Sequence, residues 1–201
     1  HDQIGNRAFG DRLSALAPPE AVRALTATLL LAPSPPMLYM GEEWDTRRPF
    51  PFFCDFGPEL GKAVTEGRRK EFARFPEFSD EQARERIPDP NDAATFAAAA
   101  LDWDALADAG GAAARGLAFR RELLALRARA LTPRLATIKP GGRYRTFPRS
   151  HSGTGGDRGL IVEWEFGDGT RLALLANLGA TPLPMPDPPG SSLLYSTHAL
   201  P

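Results

Sequence analysis

Met37-Leu38-Tyr39-Met40-Gly41-Glu42-Glu43-Trp44 is the stretch on which the fold turns. Four apolar residues stand between the prolines at 33, 35 and 36 and a glycine. That pattern predicts a short strand buried on both faces, although a run of four does not by itself separate a strand from other buried segments. An acidic and aromatic loop, Gly41 to Trp44, follows directly. Upstream, Pro18-Pro19-Glu20 offers prolines suited to a first helical turn and an acid at the positive end of the dipole, and Val22, Leu25 and Leu29 share a face. The prolines from 33 onward stop that helix. Before it, the polar stretch His1 to Arg12 reads as a loop. Loop, helix, buried strand and acidic loop is the order of a parallel α/β sheet or barrel. In a barrel the loop after each strand lies on the catalytic face, which places Gly41 to Trp44 there, and His1 to Arg12 as well if a strand precedes them.

Further along, Pro58 to Phe75 predicts a helix with Leu60, Val64, Phe72 and Phe75 on one side and Arg68, Arg69, Lys70 and Arg74 on the other. An irregular segment centred on Ile87-Pro88-Asp89-Pro90-Asn91-Asp92 comes next, then a helix from about Ala112 to Ala130 with a stripe of Phe119, Leu123, Leu126 and Ala130. After Pro133 the period changes to two. Arg143 to Phe147 has high β-propensity, and Leu160 to Phe166, the turn Gly167-Asp168-Gly169 and Leu172 to Ala176 make a hairpin. Leu193 to Tyr195 is a candidate last strand. The expected fold class is α/β: the C-terminal part of a (β/α)8 TIM barrel over 1–131, then a small antiparallel β-sandwich domain over 132–201.

Composition narrows the function classes. The 201 residues carry 24 basic and 25 acidic side chains, a formal charge of −1, which gives no electrostatic reason to expect nucleic acid or an anionic membrane as a partner. The basic run Arg68-Arg69-Lys70 is diluted by Glu66 and Glu71 and reads as the solvated face of its helix. Cys54 is the single cysteine, so neither an internal disulfide nor a cysteine-based zinc site is expected, and a cytoplasmic setting fits. The longest apolar stretch, Ala27 to Pro33, is too short to span a bilayer, and no signal peptide is visible. The chain starts on His1 rather than Met, from which we expect that something preceded it. Asp89, Asn91 and Asp92 carry oxygens that could serve a calcium ion, but without the glycine and terminal glutamate of an EF-hand loop they read as a proline-rich turn with Asx-type hydrogen bonds. No metal and no cofactor is expected.

An adjacent His-Asp alone says little; a metal phosphohydrolase would need more ligands nearby, and the other histidines, His151 and His198, lie in the β region. Context adds more. His1-Asp2-Gln3-Ile4-Gly5-Asn6-Arg7, Met40-Gly41-Glu42-Glu43, Gly67-Arg68-Arg69-Lys70-Glu71-Phe72, Ile87 to Asp92, Ala94-Thr95-Phe96 and Leu101-Asp102-Trp103 stand in the order of the last part of a known barrel. Over roughly the first 130 residues the chain resembles the α-amylase family of glycoside hydrolases, and within it the branch that frees trehalose from malto-oligosyltrehalose. The β region fits that family's C-terminal domain only by position and class.

The resemblance implies roles. The family hydrolyses α-glucosidic bonds with retention, using a nucleophilic carboxylate and an acid/base carboxylate about 5 Å apart. Asp2 matches its third carboxylate, a transition-state stabiliser, and His1 matches a histidine that hydrogen-bonds the reacting glucose. Gln3 follows Asp2 and is a further candidate for substrate binding, as are Glu42 and Trp44 on the second loop. For Trp44 two readings stand, a stacking face for glucose or packing beneath the loop; for Glu43 a structural or solvated role is expected. The nucleophile and acid/base would lie upstream, so the chain alone is expected to be inactive. The implied substrate is malto-oligosyltrehalose, supplied from maltodextrin by a partner synthase. A glycogen branching enzyme shares the barrel and Met-Gly-x-Glu, but Ile87 to Asp92 with His1 to Arg7 favours the trehalose-releasing type. A non-catalytic carbohydrate-binding or structural module is the rival from another class. With so little of a barrel present, the first half is expected to expose strand edges and to aggregate.

Overall fold

A computed structural model describes residues 2–146, 159–179, 182 and 190–197. The chain divides into two compact units, one made of His1–Pro18 and Leu38–Leu117, the other of Pro19–Met37 and Ala118–Pro201.

The first unit is helical, built from short pieces. Helix α1 is Asp2–Gly5 and α2 is Leu13–Leu16. The longer α4, Pro58–Phe72, begins on a proline where a free N–H would be unsatisfied anyway. Helices α5, Glu81–Glu85, and α6, Ala93–Ala98, are single turns and more, each with an aspartate at its start. Asp80 accepts from the Ala83 N–H and Asp92 from the Ala94 N–H, which satisfies donors that a helix start leaves open. Ala8, Phe72 and Ile87 form a buried cluster with Phe78 against it.

A polar knot fixes the irregular segment. The Asp89 Oδ1 accepts from the Thr65 hydroxyl at 2.8 Å, the Asn91 N–H at 2.9 Å and the Asn91 amide at 3.2 Å. A Cβ on Gly61 would lie 2.7 Å from the Asn91 Oδ1, so α4 approaches this turn closely only because it carries glycine there. The Asn91 N–H, then the Thr65 hydroxyl, hold the Asp89 carboxyl below its ordinary value. The stability it contributes is complete above the unfolded aspartate value of about 3.9 and is lost as pH falls through the lower folded value. Asp89→Asn is therefore expected to lose less stability than the parent between pH 5 and pH about 2, read from urea midpoints at each pH.

In the second unit α3, Pro19–Leu31, meets the last strand of a three-stranded sheet. Its strands are β1, Arg143–Thr146, β2, Gly159–Glu165, and β3, Arg171–Asn177, antiparallel in the order β1-β2-β3. Leu160 faces Ala176, Val162 faces Leu174 and Trp164 faces Leu172 in the β2–β3 ladder. Gly169, with φ of 80°, and the Asp168 carboxylate, which accepts from the Thr170 N–H and hydroxyl, make the turn. Helix α7, Ala112–Leu126, runs on into a π-helical turn, Arg127–Leu131. Phe119, Leu123, Leu126 and Leu131 are buried. The Arg23 guanidinium lies 4.1 Å from the Phe119 ring centroid.

Several expectations are corrected. Residues 37–40 pair with no strand, and Met37 is 81% exposed, because a fully buried strand needs neighbours on both sides and none is supplied among the described residues. The buried face of α3 is Val22, Ala27 and Leu30, with Leu29 exposed. Leu60 is exposed and Gly61, Thr65 and Phe72 are the buried residues of α4, so its inner face is turned from the predicted one. Residues 193–195 are not a strand. Of the expected sandwich, one sheet lies among the described residues.

Candidate active site

The expected loop His1 to Arg12 is helical over Asp2–Gly5; the first unit ties its far end to the residues on either side of the Gly41 to Trp44 loop, and the agent is an arginine. Arg12 is buried; its Nε donates to the Arg48 carbonyl at 3.0 Å and its Nη1 to the Met40 carbonyl at 2.8 Å. Its guanidinium also lies 5.3 Å from the Tyr39 ring centroid. Burial pushes the Arg12 guanidinium below its ordinary value, while Glu42, Tyr39 and Glu43 act in the opposite direction. Nothing in the sequence marked Arg12, since an arginine at the end of a polar loop has no period and no motif of its own.

Gly10 makes the second tie. The Phe50 N–H donates to the Gly10 carbonyl at 2.8 Å, and Gly10 has φ of 69°. A Cβ there would fall 2.2 Å from the Phe50 carbonyl carbon and the Pro51 nitrogen. Gly10→Ala is expected to destabilise by about 2–3 kcal/mol, combining left-handed backbone strain with a main-chain clash, and a urea midpoint lowered at constant slope is the check.

The third tie comes from α4. Arg68 Nη2 donates to the Gly5 carbonyl at 3.1 Å and the Arg7 carbonyl at 2.7 Å, and its guanidinium lies 5.1 Å from the Phe72 ring centroid. Arg68 was expected on the solvated face of its helix. It is half-buried instead, because the carbonyls of Gly5 and Arg7 accept from it.

The predicted residues are placed as follows. His1 lies outside the described residues, as does the side chain of Asp2, whose backbone opens α1. Gln3 is exposed on that helix. The Glu42 Oε2 accepts from the Tyr39 N–H at 2.8 Å and the Glu43 Oε2 from the Gly41 N–H at 2.7 Å, so both acids brace their own loop. Trp44 is 5% exposed and lies against Trp103, with ring centroids 5.0 Å apart and planes tilted by 45°. Trp103, 65% exposed, is the open ring of the pair. A Cβ on Gly116 would lie 3.0 Å from the Trp44 carbonyl group, which fits α7 closely under the loop. Among the described residues no group of three or more His, Cys, Asp or Glu is placed to hold a metal ion, and no helix is long and apolar enough to cross a membrane.

Comparison with known proteins bears on this loop pair. The chain is 49% identical over 107 residues to a malto-oligosyltrehalose trehalohydrolase of Arthrobacter ramosus, covering 51% of this chain and 17% of that protein. It is 38% identical over 201 residues to a malto-oligosyltrehalose trehalohydrolase of Rhizobium sp. (strain M-11), covering 98% of this chain and 30% of that protein. The resemblance is to malto-oligosyltrehalose trehalohydrolases. A solved structure of a Salmonella typhimurium protein assigned as an alpha amylase superposes with a TM-score of 0.77 at 41% identity, over 95% of this chain and 30% of that one. Residues 149–201 match a family described as a domain of unknown function (DUF3459). The chain thus spans less than a third of the length of the trehalohydrolases it resembles. Its glycoside-hydrolase resemblance, expected from the order of its motifs, is borne out.

Proposed function

We propose that the chain is a segment of a trehalohydrolase that cleaves the α-1,4-glucosidic bond next to the terminal trehalose unit of malto-oligosyltrehalose. The observation that carries this is the tie between the two loops. Arg12 joins the end of the 2–12 stretch to the Met40 carbonyl just before the Gly41–Trp44 loop, Gly10 joins it to Phe50, and Arg68 holds the Gly5 and Arg7 carbonyls against α4, in a chain that is similar over 98% of its length to a trehalohydrolase. In this reading residues 1–131 belong to a (β/α)8 barrel and 132–201 to an all-β sandwich domain. Asp2 stabilises the oxocarbenium-like transition state, and His1 and Gln3 contact sugar hydroxyls. Glu42 offers its second carboxylate oxygen to the substrate side of the loop, and Trp44, packed on Trp103, sets the position of that loop. The nucleophile and the acid/base come from residues outside this chain, so the chain alone is inactive. The setting is cytoplasmic, no cofactor takes part, and a synthase acting on maltodextrin supplies the substrate.

The test is a chimera in which these 201 residues replace the matching part of the Rhizobium protein. Release of trehalose from malto-oligosyltrehalose by the chimera, with none from the isolated chain, is expected. A folded chimera that transfers α-glucan branches instead, or turns over nothing, would refute it.

A further inference from the structure

A cleft of about 400 Å³ opens beside α1, lined by the Asn6–Phe9 stretch, Gln3, Asp11 and the segment after α4. Its volume falls within the range of about 300–1,000 Å³ for small-molecule sites. The walls are aromatic. Phe9 and Phe75 are 37% and 40% exposed, and Phe78 lies behind with its ring centroid 5.9 Å from that of Phe9. Gln3, Asn6 and Glu77 are exposed at the rim.

This is a combination that suits a pyranose. Sugar rings carry an apolar C–H face, which packs on aromatic carbon, and an edge of hydroxyls, each both donor and acceptor. An amide supplies both donors and acceptors, and a carboxylate accepts strongly from two neighbouring hydroxyls. The charges do not select an anion. Arg7, whose Nη1 donates to the Asp11 carbonyl, and Arg74, whose guanidinium lies 5.0 Å from the Phe75 ring centroid, stand against Asp11 and Glu77. With no net charge to hold a phosphate or sulfate, the site suits a neutral polyol. Gln3, one of the lining residues, directly follows Asp2 in the chain.

We propose that this cleft holds a glucosyl unit of an α-glucan, with Phe75 as its stacking wall and Glu77 as a hydroxyl acceptor. The proposal rests on the trehalohydrolase reading for its choice of sugar, and adds Phe75, Phe9 and Glu77 to the residues that touch substrate.

Titration of the 201-residue chain with maltotriose, followed by saturation-transfer NMR with myo-inositol as a control polyol, tests it. Saturable binding of maltotriose in the millimolar range, absent for inositol, is expected. Phe75→Ala should weaken it about tenfold, the loss of one stacking contact, with an unchanged near-ultraviolet circular dichroism spectrum. Glu77→Lys, at an exposed position that folding does not use, should weaken it about three- to tenfold and serves if Phe75→Ala does not fold. No saturation below about 50 mM, or equal affinity in the parent and in Glu77→Lys, would overturn it and leave the cleft a packing surface. Turnover by the chimera without binding here removes only this subsite. Binding here without turnover removes only the proposed reaction.

Discussion

Asp2→Asn in the Rhizobium chimera is expected to lower kcat by about 10²–10³-fold, the scale set by removing one pre-organised transition-state contact. Charge develops on the anomeric carbon and ring oxygen as the glucosidic bond stretches, and a fixed carboxylate is worth most at that moment. Asparagine keeps the size and one acceptor oxygen but loses the charge and offers N–H donors to hydroxyls that are donors themselves. An interaction made mainly in the transition state lowers kcat and kcat/KM together, whereas loss of simple substrate binding raises KM with kcat unchanged. Steady-state kinetics on malto-oligosyltrehalose therefore separates the two. A kcat within threefold of the parent would remove the role assigned to Asp2.

The second large effect is one of stability. Arg127 is buried in the π-helical turn, and its two Nη atoms reach the carbonyls of Leu30, Ala32, Pro33 and Ser34, where α3 ends. A helix end leaves its last carbonyls without partners, no glycine cap follows Leu31, and Pro33, Pro35 and Pro36 beyond it donate nothing. One guanidinium does the work of a cap. Arg127→Ala should cost about 3–4 kcal/mol. Orphaning the buried Leu30 carbonyl costs about 1–3 kcal/mol, the remaining bonds from a charged donor add to that, and water reaches the outer carbonyls in part. Arg127→Lys, with three donors at one point instead of a planar fork, should recover only part of the loss. Urea midpoints of the three proteins give the comparison, and a loss below 1 kcal/mol for Arg127→Ala would show that solvent replaces the arginine.

The sequence was legible where local chemistry decides local structure. Pro19 and Glu20 mark the start of α3, and the Gly167-Asp168-Gly169 turn joins β2 to β3 as its residues dictate. It was illegible where a distant partner decides. The Met37 to Met40 run has the composition of a buried strand, but composition cannot supply the strands on either side. The Arg68-Arg69-Lys70 run has the look of a solvated face, yet the carbonyls of Gly5 and Arg7 draw Arg68 inward from more than sixty positions away. Arg12 is the same case on the site itself: its value comes from the carbonyls of Met40 and Arg48, and a motif search weighs side chains rather than main-chain acceptors. Trp44 is open to two readings in the sequence; in the structure its ring is buried against Trp103 and its main chain lies against Gly116, partners that lie far along the chain.

The division of the chain has a consequence for biosynthesis. Residues Pro19–Met37 interrupt the unit that carries the two loops, and they belong with Ala118 onward. During translation α3 emerges early, but the arginine that caps it is made almost a hundred residues later. Until then its carbonyl end and apolar face stay open to water or to chaperones, and the second unit cannot finish before the ribosome has passed Arg127, whereas the first has all its residues by Leu117. A cut anywhere in 19–37 would likewise leave both units holding pieces from each side of it. Assembly here is an interleaving of two bodies, with its timing written into the order of the codons.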